Sequence, residues 1–361
     1  MGQVLSWLWK GHFMRPTGLL SNTPVEVFLL ISEQLSADAL AALSLTCRSF
    51  YSILKARIQL HGTDREALLL LLEKDLGDKL YYCPFCSRLH PFSPSWTPVD
   101  INLKARENQS CCYERCPAWG QAFRLSHSSQ YNLGYHLARL VMNRHLFGAP
   151  NGLPLDSLHR RFVEFQDYDT RPWNQDLSFK IVDNELFLRA VHVFYARDSA
   201  SFAAASGHQN HYICPHIITA VPPGRNLYGL NEISELKDHR LHRLIPCREA
   251  LRHCSRCLTD FQITVERVKG CERPPGTPQR GWISHGSRVH RWYEVESYKT
   301  PNTIGWQIAI IAYHQFGSCR SPQDWKWKAM SPGIESMTSR RNTVDYPPGA
   351  VIRKWKQSIR P

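Results

Sequence analysis

No stretch of this chain is apolar for anything near the ~20 residues that a membrane-spanning helix needs. The longest leucine run, Leu68 to Leu72, is closed at once by Glu73, Lys74 and Asp75. The first residues also lack the apolar core of a secretory signal, so the expected setting is intracellular, in cytoplasm or nucleus. Equally missing are a phosphate-binding glycine loop, a Gly-x-Ser-x-Gly elbow, a dinucleotide fingerprint and a His-Glu-x-x-His helix. Those absences argue against the corresponding enzyme classes, and the 17 histidines are scattered without a catalytic grouping. There is no internal repeat and no long low-complexity tract. Acidic residues are in deficit, 31 against 44 basic ones, which leaves a net charge of +13. Such a balance favours acidic partners, whether a protein surface, nucleic acid or anionic lipid, without choosing among them.

What remains is a globular composition. Hydrophobic residues at 43% and charged residues at 21% over 361 positions suit a soluble protein with two or three domains. Twelve cysteines in an intracellular chain point to reduced thiols and metal ligation rather than disulfides. Met1-Gly2-Gln3-Val4-Leu5-Ser6 fits a myristoylation pattern that also arises by accident. Lys10 and Arg15 are too sparse to add a second membrane signal.

The most informative stretch runs from Leu19 to Ile58 and reads as three short helices. Thr23-Pro24-Val25-Glu26 combines a capping box with proline at the first helical position. The helix that follows spaces Val27, Phe28, Ile31 and Leu35 on one face, which Leu30 widens. Ser36 is placed to cap a second helix carrying Leu40 and Leu43, and a third holds Leu45, Cys47, Phe50, Tyr51 and Leu54. So small a unit carries more apolar surface than it can bury alone. The order Pro-x-Glu, Leu-Ser-x-x-x-Leu and Leu-Thr-Cys-Arg-Ser-Phe-Tyr resembles an F-box, as found in proteins of filamentous fungi, although Thr23 stands where the family usually has leucine. The resemblance implies docking on a Skp-type adaptor of a cullin ubiquitin ligase. Carried onto this chain, the docking residues are Pro24, Val27, Phe28, Ile31, Leu35, Leu40, Leu43, Leu45 and Phe50.

Downstream, Thr63 to Glu66 is a second capping box opening a leucine-rich helix that ends near Gly77, its leucines expected in the core. Helical spacing recurs from Ser129 to Phe147, with Gly148 as terminator. From there the period changes to two. Leu177–Val182 and Glu185–Tyr195 read as a hairpin about Asp183-Asn184; Tyr212–Val221, Asp260–Val268, Trp292–Tyr298 and Trp306–Tyr313 read as strands. Asn231–Arg252 carries helical signals broken by Pro246, and Ala350–Ser358 a short basic helix. The expected architecture is α+β: an F-box over 19–58, a helical linker region with a first cysteine cluster over 59–150, and a β-rich α+β domain with a second cluster over 151–361.

Two Cys-x-x-Cys pairs occur, Cys83/Cys86 and Cys254/Cys257, where random placement would give about 0.4. Zinc takes four soft or borderline donors in a tetrahedron, and a pair two residues apart turns back on one ion with little strain. The expected first site is Cys83, Cys86, Cys112 and Cys116, with Cys111 or His90 as substitutes. The expected second is Cys214, His216, Cys254 and Cys257, with Cys247 in reserve. Buried cysteines acting as small hydrophobes are the plain alternative. Arg88-Leu89-His90, Cys214-Pro215-His216, Thr259-Asp260-Phe261 and Gly317 to Trp325 extend the resemblance to fungal F-box proteins along most of the chain.

Cys83-Pro84-Phe85-Cys86 also looks like a glutaredoxin redox pair, but Pro91, Pro94 and Pro98 follow too closely for the helix that would activate it. A RING ligase lacks its interleaved pairs here. Trp325-Lys326-Trp327-Lys328 and Arg353-Lys354-Trp355-Lys356 would suit nucleic acid, against the simpler reading of core tryptophans at strand spacing with lysines in solvent. The expected function is therefore a non-catalytic substrate-recognition subunit, with adaptor, cullin and an unidentified target as partners and structural zinc. The alternative is a zinc-stabilised binding protein working without the ligase.

Overall fold

The computed structural model describes residues 23–93, 95, 123–124, 132–165, 172–196, 212–218, 228–229, 237–238, 243–244, 246–269, 283–285, 288–290, 304–331 and 340–357. The chain divides into two units, Met1–Phe92 and Ser93–Pro361. This boundary cuts the expected 59–150 region, giving its leucine-rich helix to the first unit and its later helix to the second.

The first unit begins with three short helices, α1 (Val25–Glu33), α2 (Ala37–Thr46) and α3 (Arg48–Leu54). The cap of α1 falls on Pro24, one residue later than the Thr23 box requires, and proline offers it no side-chain acceptor. Ser36 occupies the expected cap of α2 and hydrogen-bonds the Asp38 carboxyl, which lowers its pKa. Cys47 caps α3, its sulfur accepting from the Phe50 amide at 3.4 Å. Phe28, Leu40 and Leu54 form the core, with Leu29, Leu43, Phe50, Ile53 and Ile58 packed around it. The Phe28 and Phe50 rings stack at 4.6 Å.

Helix α4 (Gly62–Asp75) starts at Gly62, capped by His61 without a side-chain bond, rather than at the Thr63 box. Its leucines are not uniformly core: Leu68 is buried, but Leu71 is exposed. Five consecutive residues at 100° each sweep more than a full turn, so one neighbouring layer cannot cover them all. The helix leads to an antiparallel hairpin of β1 (Leu80–Cys83) and β2 (Arg88–Pro91). Buried Glu73 accepts from the Tyr82 amide at 2.9 Å, fixing the hairpin to the helix.

The second unit is built on a six-stranded antiparallel sheet. Its strands in chain order are β3 (Arg160–Phe165), β4 (Pro172–Val182), β5 (Glu185–Ala196), β8 (Cys247–His253), β9 (Thr259–Lys269) and β10 (Ile304–Gly317), while β6 (Tyr212–Cys214) and β7 (Ile217–Ile218) form a separate small hairpin. The order across the large sheet is β8-β9-β10-β5-β4-β3. Asp183 and Asn184 both take positive φ, 50° and 58°, as the tight hairpin turn between β4 and β5 demands.

Period-two alternation places Leu188, Ala190 and His192 with Ile310, Ala312, His314, Phe261 and Ile263 on one buried face. Helix α5 (Tyr135–Phe147), ended by Gly148 at φ 77°, and helix α6 (Trp325–Met330) belong to this side: Trp327 meets Tyr135 at 5.3 Å and Phe316 at 5.7 Å between ring centroids. On the other face, helix α7 (Ala350–Gln357) lays Trp355 against Tyr313 and Lys354 over Phe187.

Three expectations are corrected here. Tyr212–Val221 is not one strand, because Pro215-His216 turns the chain between β6 and β7. The described parts of Asn231–Arg252 are extended and not helical: Lys237–Asp238 pairs with Arg243–Leu244, and after Pro246 strand β8 pairs with β9. Trp325 to Lys328 is helical, not extended: Asp324 caps it by accepting from the Lys326 amide. The expected strand Trp292–Tyr298 lies outside the described residues.

Candidate metal centre

Two turns bring the second expected cluster together. Cys214 ends β6 and His216 sits in the turn into β7; Cys254 and Cys257 bracket the turn from β8 to β9. That turn is fixed by its own backbone, the Cys254 amide donating to Thr259 O and the Thr259 amide to Cys257 O, both at 2.9 Å. Arg256 N donates to Cys254 Sγ at 3.4 Å, the amide-to-sulfur contact that a tight cysteine turn makes and that favours thiolate.

The four ligand atoms of Cys214, His216, Cys254 and Cys257 all lie within 4.8 Å of one another, and all four residues are buried. Cys254 Sγ and His216 Nδ1 are 3.6 Å apart. A tetrahedron with bonds of about 2.3 Å has edges of roughly 3.7 Å, so the donor set fits a metal ion in size as well as in chemistry. The electrostatics agree. Hydrogen bonds from Cys214 and Cys257 hold the Cys254 thiol well below the ordinary cysteine range, whereas burial pushes Cys214 and Cys257 well above it. A dication among the four donors would favour the thiolate form of all three cysteines.

Residues beyond the ligands order the site. Thr259 Oγ1 stands 3.2 Å from Cys257 Sγ and 3.0 Å from His314 Nδ1. A thiolate only accepts, so with metal bound the hydroxyl donates to sulfur and accepts from the ring N–H. Burial pushes His314 down to about 3, with His192 adding to the effect, so its ring is neutral. Thr259→Val should weaken metal binding about 10- to 100-fold, as loss of such a supporting bond typically does, while Thr259→Ser restores it. Competition with a chelator measures both.

Arg341 grips the same turn from 82 residues downstream of Thr259. Its amide donates to Ser255 O at 3.0 Å and its guanidinium to Thr259 O at 3.3 Å. The guanidinium also pairs with Asp260 Oδ1 at 2.8 Å, with neither side chain exposed. The other carboxylate oxygen, Oδ2, accepts from the Val351 amide at 2.9 Å in the first turn of α7. Motif reading singled out Thr259-Asp260 but no local pattern marks Arg341 or His314.

The first expected cluster is rearranged. Cys83, Cys86 and His90 have their ligand atoms within 4.8 Å of one another, so His90, expected only as a substitute, joins the pair. Cys111, Cys112 and Cys116 lie outside the described residues. Cys247, the reserve for the second cluster, is not in it; its thiol points to Ile263 O at 3.6 Å. Cys83-Pro84-Phe85-Cys86 forms a hairpin turn, not the start of a helix, which removes the thiol activation a redox pair of that kind needs.

The expected docking residues separate into three groups. Pro24, Val27, Ile31 and Leu35 are exposed; Leu43, Leu45 and Phe50 are half-buried; Phe28 and Leu40 are inside the unit's own core. Val25 at 44% and Leu30 at 63% exposure extend the open apolar surface of α1. Of the tryptophan and lysine pairs, Trp327 and Trp355 are buried and Lys326 and Lys354 pair with Glu185, whereas Trp325, expected in the core, is 41% exposed. No helix among the described residues is long and apolar enough to cross a membrane.

Comparison with known proteins found no matching family model, no matching curated protein and no matching solved structure.

Proposed function

We propose that this chain is a non-catalytic substrate-recognition subunit of a cullin-type ubiquitin ligase. Its N-terminal helices dock on a Skp-type adaptor, and its second unit binds an unidentified target. The observation that carries the reading is the state of α1: the small core behind it is closed around Phe28, yet Val25, Val27, Leu30 and Ile31 stay in solvent. Four large apolar side chains on one nine-residue helix are costly to leave wet, at about 1.5–3 kcal/mol for full burial of each. Together with the F-box order of motifs, that supports a protein partner for this helix.

In this reading zinc occupies the Cys214, His216, Cys254 and Cys257 centre as a closed structural site. Four thiolate and imidazole donors match zinc in softness and number. The ion would hold the β6–β7 hairpin to the β8–β9 turn and so shape the surface offered to a target.

Leu30→Asp with Ile31→Asp should abolish co-purification of the adaptor while leaving the unfolding midpoint within a few degrees of the parent. Undiminished adaptor capture by this folded variant would exclude docking through α1. Phe28 is unsuitable for that test, because truncating so buried a ring costs about 3–5 kcal/mol of stability. The rival reading of nucleic-acid binding loses support from the burial of Trp327 and Trp355 and the pairing of Lys326 and Lys354.

A further inference from the structure

We propose that the β1–β2 hairpin is a second, self-contained metal site, in which Cys83, Cys86 and His90 suffice to hold a zinc-class dication without Cys112 or Cys116. It stands independently of the four-residue centre in the second unit.

The hairpin register places the ligands. Cys83 pairs with Arg88 and Tyr81 with His90, so Cys83 and His90 project from the same face of the ladder, one step apart along it. Cys86 enters from the turn, where Ser87 takes φ 49° and returns the chain into β2. Three ligand atoms within 4.8 Å thus come from eight consecutive residues. Cys86 Sγ and His90 Nε2 already meet at 2.9 Å. The sulfur pair and the imidazole are the donor types that select zinc over harder cations.

The hairpin is also held in shape before any ion arrives. Glu73 grips the Tyr82 amide, Arg65 donates to Ser87 O at 3.3 Å, and the Phe92 amide donates to Lys79 O at 2.9 Å. The Tyr81 ring lies against both His90, at 5.7 Å, and Phe92, at 6.3 Å. Ligands positioned in this way lose little freedom on binding, which favours capture. The unit gains in turn. The helical cluster of Phe28, Leu40 and Leu54 is small, and small domains commonly rely on a metal or another staple.

The test is the metal content of the reduced full-length chain, loaded with zinc and then with cobalt. Two ions are expected for the parent, and two for Cys112→Ser/Cys116→Ser. One is expected for Cys86→Ser/His90→Ala and one for Cys254→Ser/Cys257→Ser. The single cobalt ion left in Cys254→Ser/Cys257→Ser should show about two-thirds of the sulfur-to-cobalt charge-transfer intensity of a three-thiolate site. His90→Cys, which swaps one zinc donor for another, should keep two ions and raise that intensity, so the assignment survives if an alanine variant fails to fold.

Three results would overturn the proposal. The first is a parent that binds one ion and loses it with Cys254→Ser/Cys257→Ser. The second is loss of an ion in Cys112→Ser/Cys116→Ser. The third is cobalt intensity unchanged in His90→Cys. Failure of the four-residue centre reads differently, as Cys254→Ser/Cys257→Ser keeping every ion.

Discussion

Cys257→Ser, or exhaustive chelation of the parent, should cost the second unit its metal and lower its unfolding midpoint by tens of degrees. The expectation follows from what the centre joins. Cys214 and His216 belong to one hairpin, while Cys254 and Cys257 form the turn between two strands of the main sheet. A structural zinc contributes on the order of 10–16 kcal/mol of binding free energy in small domains, which matches or exceeds the ~5–15 kcal/mol by which folded domains are stable. Removing the ion leaves buried sulfurs with neither a cation nor water. Amide exchange should rise first at Cys254, Thr259 and Gln315, whose N–H groups bond across the turn and its neighbouring strand. A midpoint and an exchange pattern indifferent to chelator would show that the four residues are ordinary core.

Arg341→Met is expected to destabilise the second unit by about 3–5 kcal/mol, because it strands the Asp260 carboxylate in an interior without solvent. The loss reaches both ends of the pair. Arg341 Nε and Nη2 also donate to Tyr346 O and Pro347 O at 2.8 and 2.9 Å, so the segment leading into α7 loses its donors too. The double variant Asp260→Leu/Arg341→Met should be more stable than Arg341→Met alone, since no buried charge remains, though below the parent because the Val351 amide and several carbonyls stay unpaired. Urea unfolding of the two singles and the double closes the cycle. Additive losses would mean that the two side chains do not act as a pair.

The parts of this molecule legible beforehand are those whose signal is local. A capping serine and a three- or four-residue apolar spacing marked α2. Asp183-Asn184 marked the β4–β5 turn because few residues accept two consecutive positive φ values. The second metal cluster was legible for a related reason. Cys-x-x-Cys and Cys-x-His are chemically specific at short range, and the fold had only to bring one half to the other. Within α1 the broad apolar stripe divides: Val27 and Ile31 stay exposed, while Phe28, expected on the same docking face, is buried and stacked on Phe50. The helical signal over Asn231–Arg252 misled, since propensity yields to a partner strand: β8 pairs with β9 from Ala250 to His253.

From its residue order alone this chain determined its first helices and α5, the Asp183-Asn184 turn, the alternation of β5, β9 and β10 and the identity of its soft donors, since each depends on neighbours within a few positions. Tertiary structure alone decided that β10 lies between β9 and β5 and that Arg341 neutralises Asp260 beneath α7. Those outcomes join residues that sequence spacing leaves unrelated. They are selected by the joint requirement that buried charges be paired, that strand edges be satisfied and that the apolar faces of the sheet be covered at once.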